Sequence, residues 1–113
     1  MGRVLGEFEH LILLALVRLR EDAYGVTIKE EIEAQTGREL YIGAVYTALA
    51  RLQKNGYVAA EVGEPTAKRG GRRKKFYTLA NPGRDALRQS QLALRGMSEG
   101  IEAELDAITE SSS

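Results

Sequence analysis

The chain has 113 residues, and 43% of them are hydrophobic, which is enough for one domain with an ordinary core. Its 16 Lys and Arg balance its 16 Asp and Glu, so the formal net charge of +0 excludes a globally basic coat for nucleic acid and argues against self-repelling disorder. The absence of Cys excludes disulfides, thiolate zinc sites and cysteine nucleophiles, and it suits a reducing cytoplasm.

The first predicted helix covers Leu5–Leu19, where apolar residues fall at helical spacing and spread around nearly the whole circumference. Such a helix is buried on several sides, so we expect it to be central and covered in part by a partner subunit. Acidic residues precede its apolar run Leu11–Val17, no cleavage site follows, and the run is far shorter than the roughly 20 residues that span a bilayer. We therefore expect a soluble cytoplasmic protein with no membrane contact. His10 lies inside this helix, so we expect it to pack in the core or at a dimer surface and not to act in catalysis.

A second helix is predicted over Tyr24–Thr36 and a third over Gly43–Asn55, each followed by a glycine suited to end it, Gly37 and Gly56. The third helix has one apolar face. Its opposite side and flanks offer a hydroxyl, a phenol, a guanidinium and an ammonium group, but no carboxylate, and these groups belong to Thr47, Tyr46, Arg51 and Lys54. In a chain with 16 acidic residues, this acid-free surface favours an anionic partner.

Two short strands are predicted at Tyr57–Val62 and Phe76–Leu79, joined by a loop of about a dozen residues. Within this loop, the eight residues Lys68–Lys75 carry six basic side chains, whereas residues 1–67 and 76–113 each have a net charge of −3. A solvated loop is the simplest interpretation of a basic run alone. Beside an acid-free helix, the run favours a hairpin with a basic tip that contacts phosphate.

The last predicted helix runs from Pro82 to about Ile108, with Asn81 as its cap and proline in the first turn. Its apolar stripe recurs every seven residues, at Leu87, Leu94, Ile101 and Ile108. Gln91 and Ser98 interrupt the stripe, and Gly96 and Gly100 weaken the middle. A helix of this length extends roughly 40 Å, which is more than a small core can cover, so we expect its far end to pack on a second chain.

The element order predicts a mainly α fold with a small β-hairpin. The sequence of three helices, a strand, a basic loop, a strand and a long helix is that of a winged helix-turn-helix followed by a C-terminal dimerisation helix. We assign residues 1–80 to the DNA-binding domain, 81–110 to the dimerisation helix and 111–113 to a frayed tail.

Several short motifs, in this order and spacing, carry a resemblance to a known family. They are Leu5-Gly6-Glu7-Phe8, Ala23-Tyr24-Gly25, Gly43-Ala44-Val45-Tyr46 with Leu49 and Arg51-Leu52, Asn55-Gly56-Tyr57-Val58, Gly70-Gly71-Arg72-Arg73-Lys74-Lys75-Phe76-Tyr77-Thr78-Leu79 and Gly83-Arg84. The chain resembles the PadR family of bacterial transcriptional regulators, in its short form with one C-terminal helix. Two positions depart from the family: Tyr41 stands where a small capping residue is common, and Thr47 where many members have proline.

The resemblance implies a regulator of transcription that binds double-stranded DNA, a repressor acting as a homodimer on an inverted repeat and released by a small-molecule effector. Its half-sites would lie about 34 Å apart. The predicted DNA-binding residues are Tyr24, Tyr46, Thr47, Arg51, Lys54, Lys68, Arg69, Arg72, Arg73, Lys74 and Lys75, and the predicted dimerisation residues are Leu5, Phe8, Leu94, Ile101, Leu105 and Ile108. Tyr24 and Tyr46 retain a second interpretation, as residues that cover the hydrophobic core.

Two other classes of function are an enzyme and a module that binds protein or RNA. An enzyme needs a positioned base, nucleophile or metal, and one His with no Cys offers little for any of these roles. We therefore predict no catalytic residue, no metal and no cofactor. The alternative function is a winged-helix module that binds protein or RNA. Acidic residues on the third helix or exposed aromatics on the sheet would favour it, and Tyr77 is the candidate aromatic.

Overall fold

The computed structural model describes residues 5–63 and 74–111, and within them it has five α-helices and one two-stranded hairpin. In chain order these are α1 Glu7–Leu19, α2 Gly25–Thr36, α3 Ile42–Lys54, β1 Val58–Val62, β2 Lys75–Leu79, α4 Asn81–Ser98 and α5 Glu102–Ser111. A short 3-10 turn, Arg20–Asp22, follows α1. The fold class predicted from the sequence, mainly helical with a small hairpin, is confirmed.

The hydrophobic core forms around α1, as predicted from the apolar residues on nearly all of its faces. Ile12 and Leu13 have no exposed surface, and α1 packs against α2, α3, α4 and β2. The predicted apolar face of α3 is also buried, with Leu49 and Leu52 at 0% exposure. Burying a side chain of this size fully contributes about 1.5 to 3 kcal/mol, so these positions hold the helices together.

The turn between α2 and α3 is fixed by one carboxylate. Glu33 Oε2 accepts the Leu40 N–H at 2.9 Å, and its other oxygen lies 3.1 Å from Lys29 Nζ. These two bonds, the backbone one foremost, lower the pKa of Glu33. The ends of the two helices fall at the predicted glycines, since Gly37 and Gly56 have φ angles of +73° and +80°. The sequence therefore predicts this helix-turn-helix unit well.

The two strands of the hairpin pair with each other, and β2 also bonds to the segment that precedes α2. Its antiparallel register aligns Val58 with Leu79, and a further bond runs from Gly63 N–H to Lys74 O at 2.7 Å. Tyr77 N–H donates to Ala23 O at 2.8 Å, so the extended segment before α2 lies beside β2. The base of the hairpin is thus held by the helix-turn-helix unit.

The C-terminal region differs from the predicted single helix. It forms two helices, α4 and α5, because Gly100 adopts a φ of +88°, which an α-helix does not contain. The cap is also one residue earlier than predicted: Asn81 is the first residue of α4 and Ala80 precedes it in an extended conformation. Ala80 N–H donates to Tyr57 O at 3.0 Å, which keeps Ala80 beside β1 and outside the helix.

Candidate nucleic-acid interface

The outward face of α3 is positively charged and carries no acid. Thr47, Arg51 and Lys54 are all exposed, and the helix contains no Asp or Glu. Among residues 5–63 and 74–111, neither Arg51 nor Lys54 takes part in an ion pair. Both cations are therefore available to phosphate groups or base edges.

The hydroxyl hydrogen of Thr47 is already in a hydrogen bond within α3. Its Oγ1 donates to Gly43 O at 2.9 Å, one turn earlier in α3. A hydroxyl bonded in this way presents lone pairs and a methyl group to its surroundings. Thr47 can thus accept a hydrogen bond from a base amino group, or contact a thymine methyl, without breaking its bond within the helix.

Tyr46 packs against the core on one side and is exposed to solvent on the other. Its ring packs against the first residue of α2, Gly25, where a Cβ atom would overlap the phenol, yet 46% of the residue remains exposed. Burial raises the pKa of the nearby Tyr77, and Tyr46 adds to this shift. Tyr46 thus covers part of the core at the start of α2 and also has exposed surface, so its contact with DNA stays a prediction.

Tyr24 lies against the hairpin. It is 9% exposed, its ring meets the Phe76 ring edge to face at 5.6 Å between centroids, and Lys74 Nζ lies 4.3 Å from its ring centroid. This packing favours the second interpretation of Tyr24, as a residue that covers the core. Phe76 was not among the predicted site residues, although its aromatic side chain directly after four basic residues was a usable signal.

The predicted basic tip is only partly described. Lys74 and Lys75 belong to the described residues, whereas Lys68, Arg69, Arg72 and Arg73 lie outside them. Lys75 is exposed, with its Nζ 5.8 Å from the Tyr77 ring centroid, and Lys74 is half-buried against Tyr24. The two described lysines therefore differ: Lys74 anchors the base of the hairpin, and Lys75 faces outward.

The predicted dimerisation residues separate into two groups. Leu5 is buried in the core of its own chain, and Phe8 packs beside it, half-buried. The remaining four, on or beside α4 and α5, are largely exposed: Leu94 at 59%, Ile101 at 42%, Leu105 at 42% and Ile108 at 62%. The C-terminal group thus offers an apolar surface to solvent, and the N-terminal pair does not.

A groove of about 690 Å³ runs between α1 and α4. Its walls are mostly apolar, from residues such as Leu11, Leu14, Leu94 and Met97, and His10 lies in it, 6% exposed. Among the described residues, no cluster of three or more His, Asp or Glu could hold a metal ion. None of the described helices is long and apolar enough to cross a membrane.

The arrangement of α2, a tight turn, an acid-free α3 and a hairpin held against them defines a winged helix-turn-helix, the fold of a large class of DNA-binding regulators. A family model described as "Transcriptional regulator PadR-like family" matches residues 13–89. The chain belongs to this family of DNA-binding transcriptional regulators. No curated protein sequence matches the chain.

Solved structures of similar proteins agree with this assignment. A PadR family regulator from Clostridium difficile is similar in fold, with a TM-score of 0.70, 24% identity and coverage of 88% of this chain and 99% of the other. A PadR family regulator from Eggerthella lenta has a TM-score of 0.65 and 26% identity, covering 88% and 86% of the two chains. The complex structure of hsRosR-S4 has a TM-score of 0.67 and 26% identity, covering 97% and 90%.

Proposed function

We propose that this chain is a homodimeric repressor that binds an inverted-repeat operator in double-stranded DNA, in the cytoplasm, and is released by a small-molecule effector. The observation that carries the proposal is the outward face of α3, where Arg51 and Lys54 are exposed. Neither residue forms an ion pair in the described part of the chain, and α3 contains no carboxylate. Such a face suits the anionic major groove.

The proposed roles divide between α3 and the hairpin. Thr47 and Arg51 lie where a recognition helix meets base edges, and Lys54 at the end of the helix is better placed for a phosphate. The basic segment Lys68–Lys75, which ends at the first residue of β2, contributes six positive charges in the sequence, which suits contact with the DNA backbone. In this division the helix selects the sequence, and the hairpin loop supplies affinity.

The proposed dimer uses the exposed apolar residues of the C-terminal helices. Leu94, Ile101, Leu105 and Ile108 expose between 42% and 62% of their surface, and a second copy would bury this area. Two copies related by a two-fold axis match an operator with two-fold symmetry. The groove between α1 and α4 lies next to this surface, and its volume of about 690 Å³ is within the range of small-molecule sites. We assign the effector to it.

Selection of bound sites from random DNA duplexes tests the proposal. We expect an inverted repeat whose half-site centres are about one helical turn apart. Affinity should fall steeply with salt, because each neutralised phosphate adds roughly 0.9 to the slope of log affinity against log salt. A flat salt dependence would contradict the role of the basic loop. Binding to RNA or to a protein with no binding to duplex DNA would support the alternative module.

Alanine substitutions test the division of roles. We expect Arg72→Ala with Arg73→Ala to weaken binding to every duplex, whereas Thr47→Ala or Arg51→Ala should change the preference among sequences. Arg88→Ala with Arg95→Ala, which removes two exposed charges from α4, is the control for net charge. A loop variant that altered only sequence preference would show that the roles are reversed.

A further inference from the structure

Among the described residues, His10 is the one polar or charged side chain that belongs to the buried set. It lies on α1 at the groove, and both of its ring nitrogens have partners on α4. Nε2 lies 2.5 Å from Gln91 Oε1, and Nδ1 lies 3.0 Å from Ser90 Oγ. Two consecutive residues of α4 therefore close around a single imidazole from α1.

The chemistry of these partners determines the direction of each bond. A glutamine Oε1 carries no hydrogen, so Nε2 must be the donor to Gln91. In the neutral ring Nδ1 then has a lone pair and accepts the hydrogen of the Ser90 hydroxyl. Both imidazole nitrogens are therefore satisfied by residues of α4.

The start of α4 is held by other contacts, with Leu87 in the core and Gly83 against the Tyr57 carbonyl, whereas beyond Leu87 the remaining contact with α1 is mostly apolar. Leu11 and Leu14 on α1 face Ala93, Leu94 and Met97 on α4 across the groove. Apolar side chains of this kind pack in many relative positions. A displacement of the part of α4 beyond Leu87 relative to α1 would separate Ser90 and Gln91 from His10 and leave a buried imidazole without partners. Loss of such bonds disfavours the shifted state by about tenfold or more.

We propose that His10 is a positioning residue, which fixes the register of α4 on α1 through Ser90 and Gln91. Gln91 interrupts the apolar stripe for this reason. The consequence for DNA rests on the proposed function: if α4 carries the dimer surface, its register sets the separation of the two α3 helices. The cluster would then determine which half-site spacing the dimer accepts.

Distance measurements between spin labels test the register directly. The chain contains no Cys, so Glu21→Cys and Arg95→Cys place one label beyond α1 and one near the end of α4, both at exposed positions. Mixing with excess unlabelled protein restricts the signal to distances within one chain. We expect one narrow distance distribution for the parent protein. Gln91→Leu should broaden it or add a second population, because it removes the acceptor and extends the apolar stripe.

Two variants act as controls in the same background. Gln91→Glu retains an acceptor oxygen for Nε2, so we expect its distribution to remain narrow. Gln89→Leu makes the same chemical change two residues away, in the same groove but outside the bonds of His10, and we expect no broadening. An unchanged distribution in Gln91→Leu, or equal broadening in Gln89→Leu, would overturn the proposal.

The affinities of duplexes with lengthened or shortened spacers test the consequence. We expect the parent protein to bind the preferred spacer more tightly than a spacer altered by one or two base pairs. In Gln91→Leu, the ratio of these two affinities should be about tenfold smaller. Unchanged spacer selectivity would overturn the link to DNA. If the parent protein binds no duplex, the proposed function fails, while the spin-label distances still decide whether His10 fixes the register.

Discussion

The N-terminal unit of residues 5–80 and the two C-terminal helices differ in what happens to their apolar side chains. In the first, Leu49 and Leu52 have no exposed surface, and the helices and hairpin enclose one core. In the second, Leu94 is 59% exposed and Met97 80% exposed, although the residues are of the same kind. Hydrophobic composition therefore does not show which apolar residues become buried. The N-terminal unit forms its core together with Leu87 from the first half of α4, whereas Leu94 and Met97 further along the same helix remain exposed.

The same substitution in both regions should have unequal effects on folding. Leu49→Ala leaves a cavity in the enclosed core, and we expect it to lower the free energy of unfolding by about 3 kcal/mol at any protein concentration. Leu94→Ala should lower stability only at concentrations where dimers form. Urea unfolding followed at two protein concentrations measures both effects. If Leu94→Ala lowered the stability of dilute protein as much as Leu49→Ala, the Leu94 side chain would have to be buried within its own chain, as Leu87 is.

Removing apolar surface from the C-terminal helices should weaken self-association. We expect Leu94→Ala with Ile101→Ala to raise the dissociation constant of the dimer roughly 30-fold, equivalent to about 2 kcal/mol. Sedimentation equilibrium measures the constant. Val62→Ala is the matched control, because Val62 is 56% exposed in the N-terminal unit and should leave association unchanged. An equal effect of the control would contradict the location of the interface.

The two lysines at the base of the hairpin should contribute unequally to stability. Lys74 Nζ lies 4.3 Å from the Tyr24 ring centroid, whereas Lys75 Nζ lies 5.8 Å from that of Tyr77, near the limit of such interactions. We expect Lys74→Met to lower the free energy of unfolding by about 0.5 to 1 kcal/mol and Lys75→Met by less. Lys74→Arg should retain most of the interaction. Thermal unfolding of the three variants provides the comparison.

The smallest effect concerns the contact between α1 and α2. The hydrogen bond from Arg18, then that from Gln35, lowers the pKa of the half-buried Glu31 below its ordinary value of 4.5. A carboxyl whose folded pKa is lowered adds stability above its unfolded pKa and loses it as pH falls through the folded value. We expect the melting temperature to fall less steeply below about pH 4.5 in Glu31→Gln than in the parent protein. Glu30→Gln controls for net charge and should leave the slope unchanged.

Much of the N-terminal unit could be predicted because its signals are local. Periodic apolar residues located α1, α2 and α3, and the glycines at 37 and 56 marked two of their ends. The acid-free face of α3 also followed from the sequence, since helical periodicity alone places Thr47 and Arg51 on it. The single C-terminal helix was wrong because one glycine at 100 is compatible with a helix, and only its φ of +88° shows a break.

Features that depend on distant contacts could not be predicted. Gln91 looked like a flaw in an apolar stripe, and its partner His10 lies 81 positions earlier. The sequence left two interpretations of Tyr24 open, at the DNA or over the core, because its packing depends on Phe76 in β2 and on Lys74 just before that strand. Periodicity reports how a helix divides into faces, but it does not report which element covers each face.

The contact between Gly25 and Tyr46 constrains how this protein can change its sequence. No side chain fits at Gly25 while the phenol of Tyr46 occupies that space. A smaller residue at 46 would open a gap at the start of α2, and a larger one at 25 would push α3 away. Neither substitution alone preserves this packing, because a side chain at Gly25 requires the Tyr46 ring to move, so we expect the two positions to vary together. Variation in DNA preference among relatives of this chain is therefore expected to arise at positions such as Thr47, which alter the surface of α3 and leave that pair intact.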